Sequence, residues 1–380
     1  MNKTARQTLV RAGWLPRNHI ESMQDRLKKD IVRRIRRTLL AWYTRNARAL
    51  PWRATRDPYA IWVSEIMLQQ TRIDQGTPYF TRFIAAFPTV QALAAASEDA
   101  VLKQWEGLGY YSRARNLHRA AKTVVSKLEG VFPKTAEGWQ ALSGVGRYTA
   151  GAIASIAFNE PVPVLDGNVK RVLARLFDIA EPIDQSSTEQ RLWALAAKLV
   201  SPKRPGDFNQ AMMELGAMVC VPKAPLCTTC PLRNVCRSAA RGTQAERPVK
   251  RKKAATPHYE IVVAAIEKNG RFLLGKRPPN GLLGGLWEFP GGKVRARETH
   301  EQALEREIRE DLGVDIRVGG LAAVVNHAYS HFKVTLNVYR CALESGTPRP
   351  KSHTALKWVP RAHFDRYAFP KANHKFLDVL

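Results

Sequence analysis

The most informative stretch of the chain runs from Cys220 to Cys236, where the residues CVPKAPLCTTCPLRNVC give the spacing C-x6-C-x2-C-x5-C. It contains four of the five cysteines of the chain: Cys220, Cys227, Cys230 and Cys236. Short intervals allow four thiolates to converge on one centre without help from distant segments. Such a compact single loop favours an iron–sulfur cube. A zinc site, which usually joins two knuckles over a longer span, and a disulfide pair remain the alternatives.

The chain is strongly basic. Among its 380 residues, 60 are Lys or Arg and 33 are Asp or Glu, a formal net charge of +27. This charge indicates a nucleic-acid partner, because a polyanion releases counterions when basic side chains replace them, although a merely soluble basic surface is the alternative. No apolar run approaches the roughly 20 residues of a membrane span, so we expect no membrane partner. Residues 1–24 lack the apolar centre of a signal peptide and predict a basic flexible arm of a cytoplasmic protein.

Periodicity and composition predict two domains. Before residue 238 the pattern is helical, with apolar positions that recur about every four residues at Leu27, Ile31, Ile35 and Leu39. Residues 238–257 are basic, rich in small side chains and aperiodic, which predicts a linker. After residue 257 the pattern indicates strands, with a hairpin signal at Asn269-Gly270. The sequence therefore predicts an all-α domain over residues 25–237 and a mixed α/β domain over residues 258–380.

Two segments of the helical domain contain candidate functional residues. In LSGVGRYTA, residues 142–150, Gly144 and Gly146 predict a tight turn before a helix, where backbone amides can approach a phosphate. A plain helix–turn–helix connection is the alternative. In VPVLDGNVKRVLAR, residues 162–175, Asp166 stands at a predicted helix start, so an N-cap aspartate is the alternative to a functional carboxylate.

The hairpin, the aspartate and the four-cysteine loop follow one another as in the endonuclease III superfamily of helix-hairpin-helix DNA glycosylases, which the chain resembles over most of residues 30–236. The resemblance implies an all-α domain with DNA in a cleft, a [4Fe-4S] cluster on the four cysteines, and Asp166 as a catalytic carboxylate. Members that cleave the DNA strand carry a lysine directly before the Thr-Ala of the hairpin motif, where it forms a Schiff base. Here that position is Tyr148. The resemblance thus implies a monofunctional glycosylase without lysine-dependent lyase activity.

The segment PYAIWVSEIMLQQTR, residues 58–72, is similar to the adenine-specific members of that superfamily, the MutY group. Glu65 lies in an apolar stretch, where desolvation is expected to raise its pKa toward that of a usable acid. On periodicity alone, a glutamate on the solvated stripe of an amphipathic helix is the alternative. By the resemblance, ten residues of this domain contact DNA or substrate: Trp52, Arg53, Leu68, Gln69, Gln70, Thr71, Tyr110, Gly144, Gly146 and Asn168.

The mechanism implied by the resemblance begins with extrusion of adenine, because the glycosidic bond of a stacked base is out of reach. Glu65 would protonate adenine N7 as general acid, and Asp166 would stabilise the oxocarbenium ion before water captures the sugar. Tyr148 would be the pocket tyrosine. The expected substrate is adenine opposite 8-oxoguanine or guanine in double-stranded DNA, and we expect a monomer that acts in base excision repair.

Residues Gly292–Val314 match the Nudix pattern G-x5-E-x7-R-E-U-x-E-E-x-G-U, where U is bulky and aliphatic, except that the last acidic position is aspartate. Glu307, Glu310 and Asp311 fall on one helix face, a set suited to Mg²⁺ or Mn²⁺ on a pyrophosphate. A charged amphipathic helix is the alternative. In the MutY group the C-terminal domain is Nudix-like, recognises 8-oxoguanine and usually has an eroded box, whereas this chain keeps the box. By the same resemblance, Ser330 and His331 contact 8-oxoguanine; a surface histidine at a strand start is the alternative.

Several functions are compatible with these motifs. The favoured one is an adenine DNA glycosylase, and the alternative is a bifunctional protein whose Nudix domain also hydrolyses nucleoside diphosphate derivatives such as 8-oxo-dGTP. A nucleotide pyrophosphatase that is merely tethered to DNA predicts that Glu65→Gln and Asp166→Asn leave every activity intact. A non-catalytic mismatch binder predicts no base release. The presence of both carboxylates favours catalysis, because a binder needs neither.

Overall fold

The computed structural model describes residues 29–251, 255–329 and 331–380. The predicted basic arm, residues 1–24, and Ser330 lie outside the described residues. The described residues form two compact units: the first contains those up to Phe80 together with 123–251, and the second contains 81–122 together with those from 255 onward. The second unit is therefore larger than the predicted α/β domain, since it also includes a segment that sequence patterns assign to the helical domain.

Helices dominate residues 29–241. Their bounds are α1 Lys29–Asn46, α2 Pro58–Met67, α3 Ile73–Ala86, α4 Val90–Ala95, α5 Glu98–Trp105, α6 Ser112–Lys127, α7 Ala136–Gln140, α8 Arg147–Phe158, α9 Gly167–Leu176, α10 Ser186–Leu199, α11 Pro205–Met218 and α12 Arg237–Arg241. Single 3₁₀ turns occur at Pro51–Arg53 and Arg233–Val235. Among the described residues, no helix has the length and apolar character needed to cross a membrane.

The core of the first unit is built around α2, which packs against α8. Asp57 caps α2 by accepting hydrogen bonds from the backbone amides of Tyr59 and Ala60, and Pro58 occupies the first helical position, where its missing N–H costs nothing. Every residue from Tyr59 to Met67 is buried. A helix that is apolar on all sides belongs inside a core, so any polar side chain on α2 is forced into the interior with it.

Residues 238–247, which the sequence assigns to a linker, fold back onto the first unit. Ser238, Thr243 and Arg247 donate hydrogen bonds to Asp178 Oδ1 at 3.2, 2.7 and 3.0 Å, and Arg241 pairs with Asp178 Oδ2 at 2.9 Å. Small and basic residues predict a linker when no other segment binds them. Here the carboxylate of Asp178, on the loop after α9, binds four residues of this stretch.

The second unit contains a mixed sheet. Its strands are β1 His258–Lys268, β2 Arg271–Lys276, β3 Trp287–Glu288, β4 Gly291–Lys293, β5 Asp315–Ala328, β6 Lys333–Ser345 and β7 Ala355–Pro360, and helix α13, His300–Leu312, precedes β5. The strand order is β3-β2-β1-β6-β5, with β4 paired to β1 and β7 paired to β2. Strands β1 and β6 are parallel, while the other pairs are antiparallel. The predicted hairpin is present, because Lys268 pairs with Arg271 across Asn269-Gly270, both with positive φ.

Strand β1 separates two cores. Val263 and Ala265 face a cluster with aromatic residues of the C-terminal segment, whereas Val262, Ala264 and Ile266 face the apolar side of α13. Because successive side chains of a strand point to opposite faces, the continuous apolar run IVVAAI, residues 261–266, is explained by burial on both sides. The unit is thus a sheet covered by α13 on one face and by 3₁₀ turns from Arg361 to Val379 on the other.

Candidate active site

Glu65 lies on α2 inside the first unit and is only 9% exposed. Burial raises the pKa of its carboxyl group to about 7, with a further increase from the charge of Asp166, while a hydrogen bond from Tyr148 and the charge of Arg53 act in the opposite direction. The structure therefore places Glu65 in the interior rather than on a solvated stripe. At neutral pH this carboxyl group is close to half protonated, which suits a proton donor.

Tyr148 extends from the first turn of α8 toward α2. Its hydroxyl donates a hydrogen bond to Glu65 Oε2 at 2.8 Å and lies 3.2 Å from Met213 Sδ. Burial and the two nearby carboxyl groups raise the pKa of Tyr148 well above its ordinary value, so the phenol stays neutral and remains a donor. Because one carboxylate oxygen is occupied by this bond, a transferable proton of Glu65 belongs on the other oxygen.

Asp166 has the N-cap position that the sequence predicts, and its charge also acts on Glu65. It is the N-cap of α9, where Oδ1 accepts from the Val169 amide at 2.7 Å and Oδ2 accepts from Asn168 Nδ2 at 3.0 Å. The charge of Asp166 also raises the pKa of Glu65, and the charges of Glu65 and Asp166 both raise the pKa of Tyr148. Burial raises the pKa of Asp166, while the hydrogen bonds from Val169 and Asn168 lower it. The two carboxyl groups thus have different environments, one apolar and one lined with N–H donors.

The hairpin turn before α8 has the geometry that its glycines predict. Gly144 has a φ of 76°, in the left-handed region that glycine adopts without a steric penalty. Gly146 is the N-cap of α8 and has no side chain with which to satisfy the first amides of the helix. These amides are consequently available to an external acceptor such as a phosphate oxygen.

The four cysteines of the Cys220–Cys236 loop line one cavity together with Arg175. All five cysteines of the chain lie in described ranges and are free thiols. Burial, followed by the other three cysteines, raises the pKa of Cys230 to about 11. The loop alone therefore disfavours thiolates, and a cationic core is needed to stabilise them. Within the described ranges, no set of three or more His, Cys, Asp or Glu side chains is spaced to hold a single metal ion.

Two arginines of α9, which were not among the candidate residues predicted from the sequence, approach this loop. Arg175 is 2% exposed and donates to the carbonyl oxygens of Cys220, Val221 and Pro222, with its Nη1 also 3.4 Å from Cys220 Sγ. Arg171 donates to the Cys220 carbonyl at 2.7 Å and to Asn168 Oδ1 at 2.7 Å. Their spacing of four residues on a predicted helix was the available signal. A hydrogen-bonded chain thus runs from Cys220 through Arg171 and Asn168 to Asp166.

The segment Leu68–Thr71 follows the end of α2. Gln69 Nε2 donates to Thr149 Oγ1 of α8 at 3.0 Å, which ties this segment to the helix that carries Tyr148. Gln70 adopts a φ of 59°, an unusual conformation for a residue with a Cβ. Backbone strain of this kind is typical of segments that present side chains to a ligand.

Two of the predicted contact residues, Trp52 and Arg53, have partners within the first unit. Trp52 is 7% exposed and packs edge-on against Phe80, with ring centroids 5.2 Å apart. The Arg53 guanidinium is bound to Glu214 Oε2 at 2.8 Å and to the Arg48 carbonyl at 3.1 Å. In this structure Arg53 therefore serves the packing of α11 against the 3₁₀ turn. The motif LPWR could not reveal this partner, which lies 161 residues away.

Glu214 is a buried charge that sequence patterns did not indicate. It is 1% exposed and binds both Arg48, at 2.6 and 2.9 Å, and Arg53. Burial alone would raise its pKa, but hydrogen bonds and charges from the two arginines outweigh this effect and lower the pKa to about 2. The cluster is an anchor of the first unit rather than a reacting group.

We expect Glu214→Gln to lower the free energy of unfolding by about 3 kcal/mol, the usual cost of breaking a buried ion pair. Because the folded pKa is depressed, the stabilisation from Glu214 is complete above about pH 4.5 and is lost as the pH falls toward 2. Urea unfolding of wild type and variant between pH 3 and pH 7 measures both effects. A constant difference in stability across that range would contradict the assigned pKa.

In the second unit, Tyr110 and His331 lie together. Their rings meet edge to face with centroids 6.5 Å apart, although the two residues are distant in sequence. His331 is exposed and precedes β6, so the alternative of a surface histidine near a strand start is correct as to position. Tyr329 stacks on Phe332 at 4.8 Å and contacts His327, and burial raises its pKa to about 12. The loop thus has an aromatic base and an exposed histidine.

The acidic residues of the Nudix pattern lie on or next to α13. Arg306 donates to Glu298 at 2.6 and 2.8 Å and to Glu307 at 2.6 Å, so it holds the first two glutamates of the pattern together. Glu310 pairs weakly with Arg295 and Arg306 and is half exposed, and Asp311 is on the same helix. The apolar residues Ala303, Leu304, Ile308 and Leu312 face the sheet, as the amphipathic pattern predicts.

Comparisons with known proteins match this architecture. A family model described as "HhH-GPD superfamily base excision DNA repair protein" matches residues 63–198, and one described as "NUDIX domain" matches residues 261–379. The adenine DNA glycosylase of Mus musculus is 38% identical over 98% of this chain and 82% of its own length, and that of Homo sapiens is 38% identical over 92% and 74%. The chain belongs to the adenine DNA glycosylase family. The predicted family, fold class and enzyme class are thereby confirmed.

A solved structure supports the fold of the helical part of the chain. The structure of a thermostable thymine-DNA glycosylase superposes with a TM-score of 0.51 at 26% identity, over 56% of this chain and 98% of that protein. The superposition includes almost all of that protein but only 56% of this chain, so the remaining part of this chain lies outside the shared fold. In this family member the remaining part includes the Nudix-like part.

Proposed function

We propose that the chain removes adenine paired with 8-oxoguanine, or with guanine, from double-stranded DNA by hydrolysis of the N-glycosidic bond. The observation that carries the proposal is the buried group of Glu65, Tyr148 and Asp166, in which one carboxyl group has a pKa near 7 and the other is held by N–H donors. Two carboxyl groups in unlike environments are what N-glycosidic hydrolysis needs, because one must give a proton while the other stabilises positive charge.

The first chemical step is protonation of the extruded adenine by Glu65. Extrusion costs a few kcal/mol, and a mispair lowers that cost, so part of the selectivity comes from the substrate. Once adenine occupies the apolar site, the neutral form of Glu65 can place its proton on N7 and make the base a better leaving group. The hydrogen bond from Tyr148 orients the carboxyl group and stabilises the anion that remains.

Asp166 stabilises the positive charge that develops on the sugar as the bond breaks. Burial raises the pKa of Asp166 above its ordinary value, while its bonds to Val169 and Asn168 and its position at the N-terminus of α9 oppose that increase and stabilise the anion when it forms. An anion that is already oriented needs no reorganisation during the reaction. Water then adds to the sugar and leaves an abasic site.

The reaction stops at the abasic site because the lyase position is occupied by Tyr148. A Schiff base with the sugar requires an amine, and the phenol of Tyr148, whose pKa is well above its ordinary value, supplies neither an amine nor a nucleophilic anion. The proposed activity is therefore monofunctional. We further propose that the enzyme acts as a monomer in the reducing compartment that contains DNA.

The cysteines Cys220, Cys227, Cys230 and Cys236 fit a [4Fe-4S] cluster, because four thiols and a buried guanidinium line one cavity. When bound, the cluster would cross-link the loop and carry a net negative charge, which the guanidiniums of Arg171 and Arg175 complement. Arg171 then links the loop to Asn168 at the start of α9, and through it to Asp166, while Arg175 holds the carbonyl groups of Cys220, Val221 and Pro222.

We expect Cys230→Ser to reduce bound iron and sulfide and to abolish the absorbance of the cluster, because a serine oxygen replaces one of four buried thiolates. Cys341→Ser is the matched control, since Cys341 is buried in the other unit and lies far from the loop in sequence. Iron and sulfide analysis of the purified proteins decides the matter. Full cluster content in Cys230→Ser would contradict the assigned ligand set.

The opposite-base preference tests the proposed substrate. Single-turnover rates of adenine release are compared for duplexes with adenine opposite 8-oxoguanine, guanine, cytosine and thymine. We expect the fastest release opposite 8-oxoguanine, slower release opposite guanine and little release from a normal pair, because the intact pair must pay the full cost of extrusion. Equal rates opposite 8-oxoguanine and thymine would contradict the proposal.

A second candidate function is hydrolysis of nucleoside diphosphate derivatives by the Nudix-like part. It is favoured by the ion pairs of Arg306 with Glu298 and Glu307, which keep the box assembled, and by the exposure of Glu310. With Mn²⁺ or Mg²⁺ and 8-oxo-dGTP, a metal-dependent release of product that is lost in Glu307→Gln and Glu310→Gln would establish it. No turnover of 8-oxo-dGTP and related nucleotides would leave recognition of 8-oxoguanine as the role of this part.

A further inference from the structure

The loop that carries Tyr110 follows a pair of residues, Lys103 and Glu106, that attach it to the C-terminal segment of the second unit. Glu106 ends α5, and its side chain is only 13% exposed. Its Oε1 accepts from the Phe369 amide at 2.7 Å and from His374 Nε2 at 2.9 Å, while Oε2 accepts from Lys103 Nζ at 2.6 Å. Lys103 in turn donates to the Tyr367 carbonyl at 3.0 Å. The segment 367–374 and the end of α5 are thus joined through Glu106 and Lys103.

The charge of Glu106 is part of this attachment. Burial would raise its pKa, but the hydrogen bonds from His374, Lys103 and the Phe369 amide together lower it, so the group is ionised at neutral pH. Because a carboxylate only accepts hydrogen bonds, the contact with His374 requires a proton on Nε2. Hydrogen bonds to an ionised acceptor are the strong ones, and three donors converge on this carboxylate.

The loop immediately after Glu106 has an unusual backbone, which is strained at Tyr110. Gly107, Gly109 and Tyr110 have φ values of 92°, 74° and 49°, so three of four consecutive residues adopt left-handed conformations, one of them with a bulky side chain. Internal contacts support it: Trp105 Nε1 donates to the Gly109 carbonyl at 3.2 Å, and the Arg113 guanidinium lies over the Tyr110 ring. These contacts hold the loop in one conformation. The hydrogen bonds of Glu106 attach the start of the loop to the segment 367–374.

The position of Tyr110 matters because its ring meets that of His331, which precedes β6. Tyr110 is on the segment 81–122, whereas His331 is on the Nudix-like part, and both belong to the second unit. The two ring centroids are 6.5 Å apart and His331 is exposed, so this contact is weak. It does not by itself fix the position of one loop relative to the other. The bonds of Glu106 are the stronger connection between the same two segments.

We propose that Glu106 is a positioning residue for opposite-base recognition: its carboxylate holds the Tyr110 loop on the segment 367–374, so that Tyr110 and His331 act on one nucleotide. This rests on the proposed function, in which the second unit recognises 8-oxoguanine. Loss of the charge leaves both recognition residues in the chain but uncouples their positions. Discrimination between opposite bases then falls, while removal of adenine itself continues.

The test uses the full-length protein and single-turnover rates of adenine release opposite 8-oxoguanine and opposite guanine. We expect Glu106→Gln to lower the ratio of the two rates by about tenfold, the effect of one charge-assisted contact, with less than threefold change opposite guanine. Glutamine is isosteric, but its NH₂ group must face either the Lys103 donor or the donors of His374 and Phe369, so one side of the attachment is lost. Glu305→Gln, on the exposed face of α13, makes the same charge change without a contact to this loop and should match wild type.

Variants of the partner side distinguish positioning from a general structural defect. His374→Ala should reproduce Glu106→Gln, whereas His374→Gln keeps an N–H donor and should restore the ratio. In a His331→Ala background, Glu106→Gln should cause no further decrease, because the residue to be aligned is already absent. If Glu106→Gln lowered the rates opposite 8-oxoguanine and opposite guanine equally, the positioning role would be overturned. It would also be overturned if the effects of Glu106→Gln and His331→Ala on the ratio of the rates were fully additive.

The ratio of the two adenine-release rates in the wild-type protein tests the proposed function independently of the role of Glu106. A wild-type protein without preference for 8-oxoguanine over guanine would contradict recognition by the second unit, and the role of Glu106 with it. A clear wild-type preference that survives unchanged in Glu106→Gln and His374→Ala would contradict the role of Glu106 alone.

Discussion

Glu65→Gln is expected to lower the single-turnover rate of adenine release by roughly 10²–10⁴-fold, the range in which a positioned general acid contributes. Glutamine fills the same space in α2 and still accepts the hydrogen bond from Tyr148, so the fold and the binding of DNA should be retained. What is lost is the proton that the buried carboxyl group supplies at neutral pH. The rate is measured with excess enzyme on a duplex with adenine opposite 8-oxoguanine, and binding is measured separately on the same duplex.

The pH dependence of the wild-type rate gives an independent readout of the same residue. Because burial raises the pKa of Glu65 to about 7, the protonated form predominates below pH 7, and the rate should fall about tenfold per pH unit above it. Tyr148→Phe removes a hydrogen bond that lowers this pKa, so the descending limb should move to higher pH.

Glu137→Gln is the matched control for Glu65→Gln, because Glu137 is exposed on α7 and loses the same charge without entering the site. It should release adenine at the wild-type rate. If Glu65→Gln retained most of the wild-type rate, or if the rate had no descending limb near pH 7, the assignment of Glu65 as the acid would be wrong.

The second large effect is expected for Asp166→Asn, which should reduce the rate by about 10²–10³-fold through loss of electrostatic stabilisation of the sugar cation. Asparagine is the informative replacement because it is as good an N-cap as aspartate and can still accept from the Val169 amide. Thermal stability should therefore change little, while the rate of bond cleavage falls. Single-turnover kinetics and thermal unfolding of the same preparations separate the two roles.

Asp57→Asn provides the control for that substitution. Asp57 caps α2 in the same manner, by accepting from Tyr59 and Ala60, but its charge is not among those that act on Glu65 or Tyr148. A similar loss of activity in both variants would indicate that Asp166 acts only through the helix cap.

Local sequence patterns predicted the helices that carry the candidate residues, whereas the roles of those residues came from the family resemblance and stay predictions. The segments around Glu65, Tyr148 and Asp166 carry helix signals of their own, namely Asp57-Pro58 before α2, the glycine turn before α8 and Asp166 before α9. Each signal acts over a few residues and is readable in a single sequence. The hairpin at Asn269-Gly270 was predictable for the same reason.

The parts that sequence patterns missed depend on partners distant in the chain. Glu214 is buried because Arg48 and Arg53, more than 160 residues before it, neutralise it, and periodicity cannot show such a pair. The predicted linker was wrong over residues 238–247, since Asp178 binds that stretch. Likewise, the segment 81–122 has an ordinary helical pattern, and only contacts such as those of Glu106 assign it to the second unit.

The most direct test of the central claim is the product formed from a duplex with adenine opposite 8-oxoguanine, labelled on the adenine strand and divided after single-turnover reaction into heated samples with and without alkali. A monofunctional hydrolysis at the buried site predicts free adenine and strand breaks at that adenine only after alkali. Breaks of equal yield without alkali would contradict the role assigned to Tyr148. No adenine release by cluster-loaded wild type would contradict the account as a whole.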